Sequence, residues 1–352
     1  MWPFTRKGNY AYACTRVKAK KSFLLSKDTY SRMLVMDLYE IARSLGETQY
    51  SQEMARYASK YSGANLVEVA VTRNLARSFS EIYGFTTGHL REMVGDYLKR
   101  WDTFNVKTVL RGKVTHVNEE EIVDTLIPAG RFSEEYLRSL VTMESIQEIM
   151  DSLSQQPSLN LTPELVREVV DTGRLATLED HLDKMYYYDL LKTLEETSRA
   201  EQMLRRFARH EIDVTNLKTL IKLKAEKLPE DKIQKYLIPG GFDFSMERLR
   251  GLARTEGVSP IIEEIEKSSA DSHVKLGIDS FREDGKLSDI TIALDKALVS
   301  TSEKFAHFYP LSVLPIVNYM IRKRAEIANI RVIARGKQSG LSNKVIESLL
   351  VT

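Results

Sequence analysis

The sequence predicts an all-α fold of three similar helical domains. Three observations predict it: apolar residues return at spacings of three and four almost throughout, alternating β-type runs are few, and one segment recurs three times along the chain. Such a body is expected to close with pseudo-threefold symmetry, because an open solenoid would leave an apolar flank at each end.

Taken in order, the opening Met1-Trp2-Pro3-Phe4-Thr5-Arg6-Lys7-Gly8 lacks the apolar stretch of a secretory signal, and Arg16, Lys18, Lys20 and Lys21 soon break the Tyr-rich segment behind it. Leu66, Val67, Ala70, Val71, Asn74 and Leu75 carry the helical spacing, as do Leu178, Leu182, Met185 and Tyr186. Between them stand breakers: Gly63, Gly84, Gly88, Pro128 to Gly130, Pro157, Gly173, Pro239 to Gly241, Gly257 to Pro260, Gly277, Gly285, Pro310 and Pro315. The apolar stretch Leu311–Ile321 holds Pro315 and Asn318 and falls short of the roughly 20 residues a membrane span needs.

The recurring segment reads Asp102-Thr-Phe-Asn105-Val106-Lys107-Thr-Val109-Leu110-Arg111-Gly-Lys113. It returns as Asp213-Val-Thr-Asn216-Leu217-Lys218-Thr-Leu220-Ile221-Lys222-Leu-Lys224 and as Glu326-Ile-Ala-Asn329-Ile330-Arg331-Val-Ile333-Ala-Arg335-Gly-Lys337. Downstream, Ile127-Pro128-Ala-Gly130 and Phe132-Ser133 match Ile238-Pro239-Gly-Gly241 and Phe244-Ser245, with Leu25-Ser26 as a looser counterpart; upstream, Val71-Thr72-Arg73 matches Leu182-Asp183-Lys184 and Leu294-Asp295-Lys296. The expected domains are residues 1–104, 105–216 and 217–352. The segment 326–352 supplies what the first unit lacks and is expected to pack on it.

Asn105 lies one turn before Val109 and shares its packed stripe, so a buried amide bonded to a neighbouring helix end is expected there. Asp102, Asp213 and Glu326 are expected to partner basic side chains of an adjoining helix. After each basic pair a helix starts in its own way: Asn118 as cap, Pro229 at the first helical position, Ser342 as cap. Ser133 and Ser245 cap the helices beyond the Pro-Gly turns.

The bulk numbers leave little room for chemistry. Fifty-one Lys+Arg against 49 Asp+Glu give a formal charge of +2 over 352 residues, so no global pull toward nucleic acid exists. The single Cys14 excludes an intramolecular disulfide and reads as a small core residue. Phosphate-cradling glycine motifs and H-E-x-x-H are absent, and the six histidines are dispersed, so no metal, no cofactor, no catalytic residue and no direct nucleotide binding are expected. His181 with Asp183 is the nearest thing to a catalytic pair. The basic clusters Lys18 to Lys21, Arg205 to Arg209 and Arg322 to Arg324 read as solvated helix faces, and Met185-Tyr186-Tyr187-Tyr188 as core. A free-standing helical scaffold binding a soluble protein is compatible with all of this.

Tyr10-x-Tyr12-x-x-x-Arg16-x-Lys18, Leu25-Ser26, Thr48-x-Tyr50, Leu314-Pro315 and Lys323-x-x-Glu326-x-x-Asn329-Ile330-Arg331 together resemble the family of the C and d stalk proteins of A-type and V-type rotary ATPases. The resemblance implies a funnel-shaped protein without catalytic residues, peripheral on the cytoplasmic face of the cell membrane. It further implies a central-stalk role in ATP synthesis or ATP-driven ion transport, joining a shaft of D and F subunits to the membrane ring of proteolipid subunits. Arg111, Lys113, Lys222, Lys224, Arg335 and Lys337 are the candidate partner-binding residues.

Overall fold

The computed structural model describes residues 8–194 and 198–352, which are helical with no strand among them. The expected all-α class holds. Contacts divide the chain into two compact units, one centred on Thr72–Thr193 and one joining Asn9–Val71 to Leu194–Thr352.

The discontinuous unit opens with α1 (Tyr10–Lys21), α2 (Lys27–Val35), α3 (Leu38–Gly46) and α4 (Ser51–Tyr57). Helix α5 (Gly63–Phe85) passes from it into the continuous unit. That unit proceeds through α6 (Gly88–Leu98), α7 (Arg100–Val114), α8 (Glu119–Thr125), α9 (Glu134–Thr142), α10 (Ile146–Ser154), α11 (Pro163–Thr172) and α12 (Ala176–Thr193). The discontinuous unit resumes with α13 (Arg199–Ala225), α14 (Glu230–Lys235), α15 (Met246–Arg254), α16 (Ser259–Ser268), α17 (Ser272–Asp284) and α18 (Leu287–Phe308), then α19 (Leu314–Gln338) and α20 (Asn343–Ser348).

Helix starts follow local chemistry. Ser26, Ser133, Ser245 and Ser342 each accept an amide three residues on, at 3.3, 3.1, 3.2 and 3.4 Å, and Asn118 accepts that of Glu120 at 2.8 Å. Pro229 differs from expectation: it is the N-cap of α14, with extended backbone (φ −67°, ψ 153°), and helical geometry begins at Glu230. Two expected breakers also lie inside helices. Gly84 sits in the last turn of α5, and Gly277 in α17, where a Cβ would meet that of Ala293 at 2.3 Å. Gly277 therefore lets α17 approach α18, which is a packing role invisible to local propensity.

Each unit buries its own apolar cluster. In the continuous unit Val109, Leu110, Ile122, Leu137, Leu140 and Ile149 pack together; in the other, Leu220, Ile221, Ile233, Leu249, Ile261 and Ile278 do. Cys14 is buried as expected, its thiol donating to Ser312 O at 3.2 Å, and burial pushes its pKa up to about 11. Of the tyrosine run, Tyr186 and Tyr187 are buried but Tyr188 is exposed. No helix of the described residues is long and apolar enough to cross a membrane.

Candidate partner-binding site

The six basic residues stand in the last turns of α7, α13 and α19, whose positions are fixed by a buried latch further up each helix. Asn105 donates its amide to Ile127 O at 2.7 Å and accepts the Ile127 N–H at 2.8 Å. Asn216 does the same with Ile238, both at 2.8 Å, and Asn329 with Val351 at 2.9 and 2.8 Å. Each partner lies 22 residues on, and each amide is satisfied on both its faces as burial requires. The expected amide bond is thus present in all three copies.

The acids three residues earlier act otherwise than expected. Asp102 accepts the backbone N–H groups of Arg131 and Phe132 at 2.8 and 2.9 Å, and Asp213 those of Phe242, Asp243 and Phe244 at 2.9, 2.7 and 3.3 Å. They tether the turn before a capped helix, where clustered amides favour a carboxylate over any distant base. Burial nonetheless outweighs these bonds and pushes both carboxyls up to about 6.

Glu326 performs the same task across the chain's length, accepting the Leu25 N–H and the Tyr50 hydroxyl, and the Gln49 amide at 3.1 Å. It also pairs with Lys323 at 2.9 Å, both side chains being almost wholly buried, and Lys323 donates to the Tyr50 hydroxyl at 2.8 Å. Lys323 is therefore no solvated residue: an internal carboxylate holds it in the core, its ammonium 4.2 Å from the Tyr50 ring centre.

The six basic side chains themselves are mostly tied down. Arg111 grips Glu179 with two bonds of 2.6 and 2.5 Å, and Arg335 grips Glu68 in the same forked manner. Lys113 pairs with Glu119 at 2.8 Å, and Lys337 donates to Leu34 O and to Asn343 at 2.9 Å. Lys222 has a loose contact of 4.0 Å with Glu226 and keeps 73% of its side-chain surface exposed; Lys224 has no ion pair among the described residues. Glu179 and Glu68 raise their arginines' pKa, so both guanidinium groups stay charged at any accessible pH.

His181 and Asp183 have separate tasks: the imidazole contacts Leu159 O at 3.0 Å, and the carboxylate receives Lys107 at 2.6 Å. A different group comes together where residue spacing offers little sign of it, His210, Asp213 and Asp243, with ligand atoms within 4.8 Å of one another. The i, i+3 pair is visible on α13, but Asp243 comes from a turn thirty residues away. Asp213 is already occupied by three amides, and at His210 burial, with the charges of Arg206 and Arg209, outweighs the pull of Asp243 and lowers the imidazole's pKa.

The family model for the ATP synthase (C/AC39) subunit matches residues 13–349. The chain is 36% identical over 347 residues to the C subunit of the A-type ATP synthase of Methanosarcina acetivorans, covering 97% of this chain and 93% of the relative. It is 33% identical over 348 residues to that of Archaeoglobus fulgidus, covering 98% of each, and 32% over 343 residues to that of Haloferax volcanii, covering 97% of each. With likeness of that extent over both units, the chain belongs to the ATP synthase (C/AC39) subunit family.

Proposed function

We propose that this protein is a non-catalytic central-stalk component that couples a D–F shaft to the proteolipid ring of an A/V-type rotary ATPase, at the cytoplasmic membrane face. Three similar helical domains, related by a pseudo-threefold axis in a funnel, form the body that passes torque. The observation that carries this reading is the latch made three times: Asn105, Asn216 and Asn329 each bind a chain segment 22 residues on, and in the third copy Glu326 ties the late helix α19 to the loop before α2. Buried, doubly satisfied amides resist shear in a way that apolar contacts alone do not, because sliding would leave each unpaired at about 1–3 kcal/mol.

Of the six candidate residues, Lys222 and Lys224 are the freest to meet a partner, whereas Arg111 and Arg335 mainly brace the body through Glu179 and Glu68. Only one repeat then makes close polar contact through this position. A grip that survives load should bury about 2,000 Å² or more in total. Co-sedimentation with a detergent-solubilised proteolipid ring, with and without D–F, tests the reading. One chain per ring, bound more tightly with the shaft and weakened most by Lys222→Glu, is expected. No binding under either condition would return the protein to the class of free helical scaffolds.

A further inference from the structure

One position of the repeat is occupied by Arg73, Lys184 and Lys296, and another, just after the capping serine of a helix, by Glu134, Met246 and Lys27. In the continuous unit these two positions meet. Arg73, largely buried, lies 3.5 Å from Glu134 and 3.6 Å from Asp124. In the discontinuous unit the matching residues, Lys296 on α18 and Lys27 at the first residue of α2, line a cavity of about 280 Å³ together with His273 and Arg322. Here Lys27 replaces the Glu134 carboxylate with an ammonium, and Ser348 stands in the place of Asp124.

The two acidic side chains that line this cavity are already engaged. Glu303 answers Arg322 and lies 3.7 Å from Lys21; Glu326 is held by Lys323, Tyr50, Gln49 and the Leu25 amide. Lys184 keeps its own acid, Asp180, one turn back at 2.6 Å, but the residue one turn before Lys296 is Ile292. Neither Lys27 nor Lys296 has an ion-pair partner among the described residues, and the charge acting on the half-buried Lys296, beyond burial itself, is that of Lys27, which lowers its pKa further. Two like charges share a concave site at the first turn of α2, where the positive end of the helix dipole adds to them and the exposed Asp28 of the same turn opposes them.

We propose that this cavity binds a phosphate-type oxyanion, which bridges Lys27 and Lys296 and completes from outside the junction that Arg73 and Glu134 complete from within. The volume, near the lower bound of about 300 Å³ for small-molecule sites, suits a phosphate or diphosphate group. The same chemistry is offered by free phosphates and by a phospholipid headgroup.

The test uses the full chain and inorganic pyrophosphate, against sodium chloride of equal ionic strength. Pyrophosphate should raise Tm by about 2–5 °C beyond chloride. Lys27→Glu should abolish that response and itself raise Tm in plain buffer, since it restores the Arg73–Glu134 type of pair; Lys296→Met should abolish the response without that gain. Sedimentation with phosphatidic acid vesicles, competed by pyrophosphate and lost in Lys27→Glu, assigns the anion to a lipid headgroup, and a response to pyrophosphate without vesicle binding assigns it to a soluble phosphate. No rise beyond chloride, or an equal rise in the wild type and both variants, would overturn the proposal.

Discussion

Asp102 and Asp213 hold their turns by backbone amides, and their burial gives the protein a pH dependence of definite sign. A carboxyl with an ordinary pKa near 3.8 when unfolded and about 6 when folded binds its proton more tightly in the native state. Its contribution to stability is therefore full below pH 4 and is lost as pH rises through 6, by about 3 kcal/mol per group. Asp102→Asn removes this ionisation but places an NH2 group against one of two amides, a loss of about 1–3 kcal/mol. Urea unfolding at pH 4.5 and 7 should show the variant's deficit shrinking as pH rises; a deficit that grows would mean the amides, not burial, govern the carboxyl. The buried pair Lys323–Glu326 behaves differently, because Glu326→Gln strands an ammonium in the core. That should cost about 3–5 kcal/mol, much of it recovered in the Lys323→Met/Glu326→Gln double variant, as denaturant titration would record. The Asn residues were legible in the sequence because their helical spacing put them on an apolar stripe. The acids' targets were not, since periodicity shows which face a carboxylate lies on but not which loop arrives there.

At the scale of the helix and its turn, the Pro-Gly punctuation proves to have a second use. A Cβ on Gly130 would stand 2.1 Å from Asp102 Oδ1, and one on Gly241 the same distance from Asp213 Oδ1. These glycines lie in the turn between two helices and admit the tethering carboxylate to the amides behind them. Gly130→Ala and Gly241→Ala should each cost about 1–3 kcal/mol, and Gly130→Ala should add little to Asp102→Asn, because both break one tether. Gly251, inside α15 with nothing within 4 Å of its Cβ position, is the control: Gly251→Ala should stabilise by about 0.5–1 kcal/mol. Thermal unfolding of these variants decides; a stabilised Gly130→Ala would show that the turn relaxes without the tether. The same reasoning explains why Gly277 misled as a breaker. A glycine that ends a helix and one that lets two helices touch look alike until the second helix, here α18, is in place.

On the scale of the whole chain, the repeat predicts three copies, while contacts gather the residues into two units with the boundary inside α5. Recurring motifs specify the latches at each copy; they do not say where a continuous helix changes its neighbours, which depends on side chains that differ between copies. The discontinuous unit offers a sharp test, because its early and late segments meet only through folding. Removing residues 340–352 deletes α20 and the Val351 backbone that satisfies Asn329. It also takes Ile346 from against Gly336, where a Cβ would stand 2.6 Å from its Cγ1, and the contact that α20 makes with α2. The lost burial and the stranded amide together should destabilise that unit by at least about 3 kcal/mol. Hydrogen exchange followed by mass spectrometry should then show protection falling across both α1 to α4 and α19, at opposite ends of the sequence, while α7 to α11 keep theirs. Loss confined to the residues beside the cut would mean that Glu326 and Lys323 hold the two segments without help from α20. Loss spread evenly over both units would mean that the chain unfolds as one cooperative body, and that the boundary in α5 divides contacts without dividing stability.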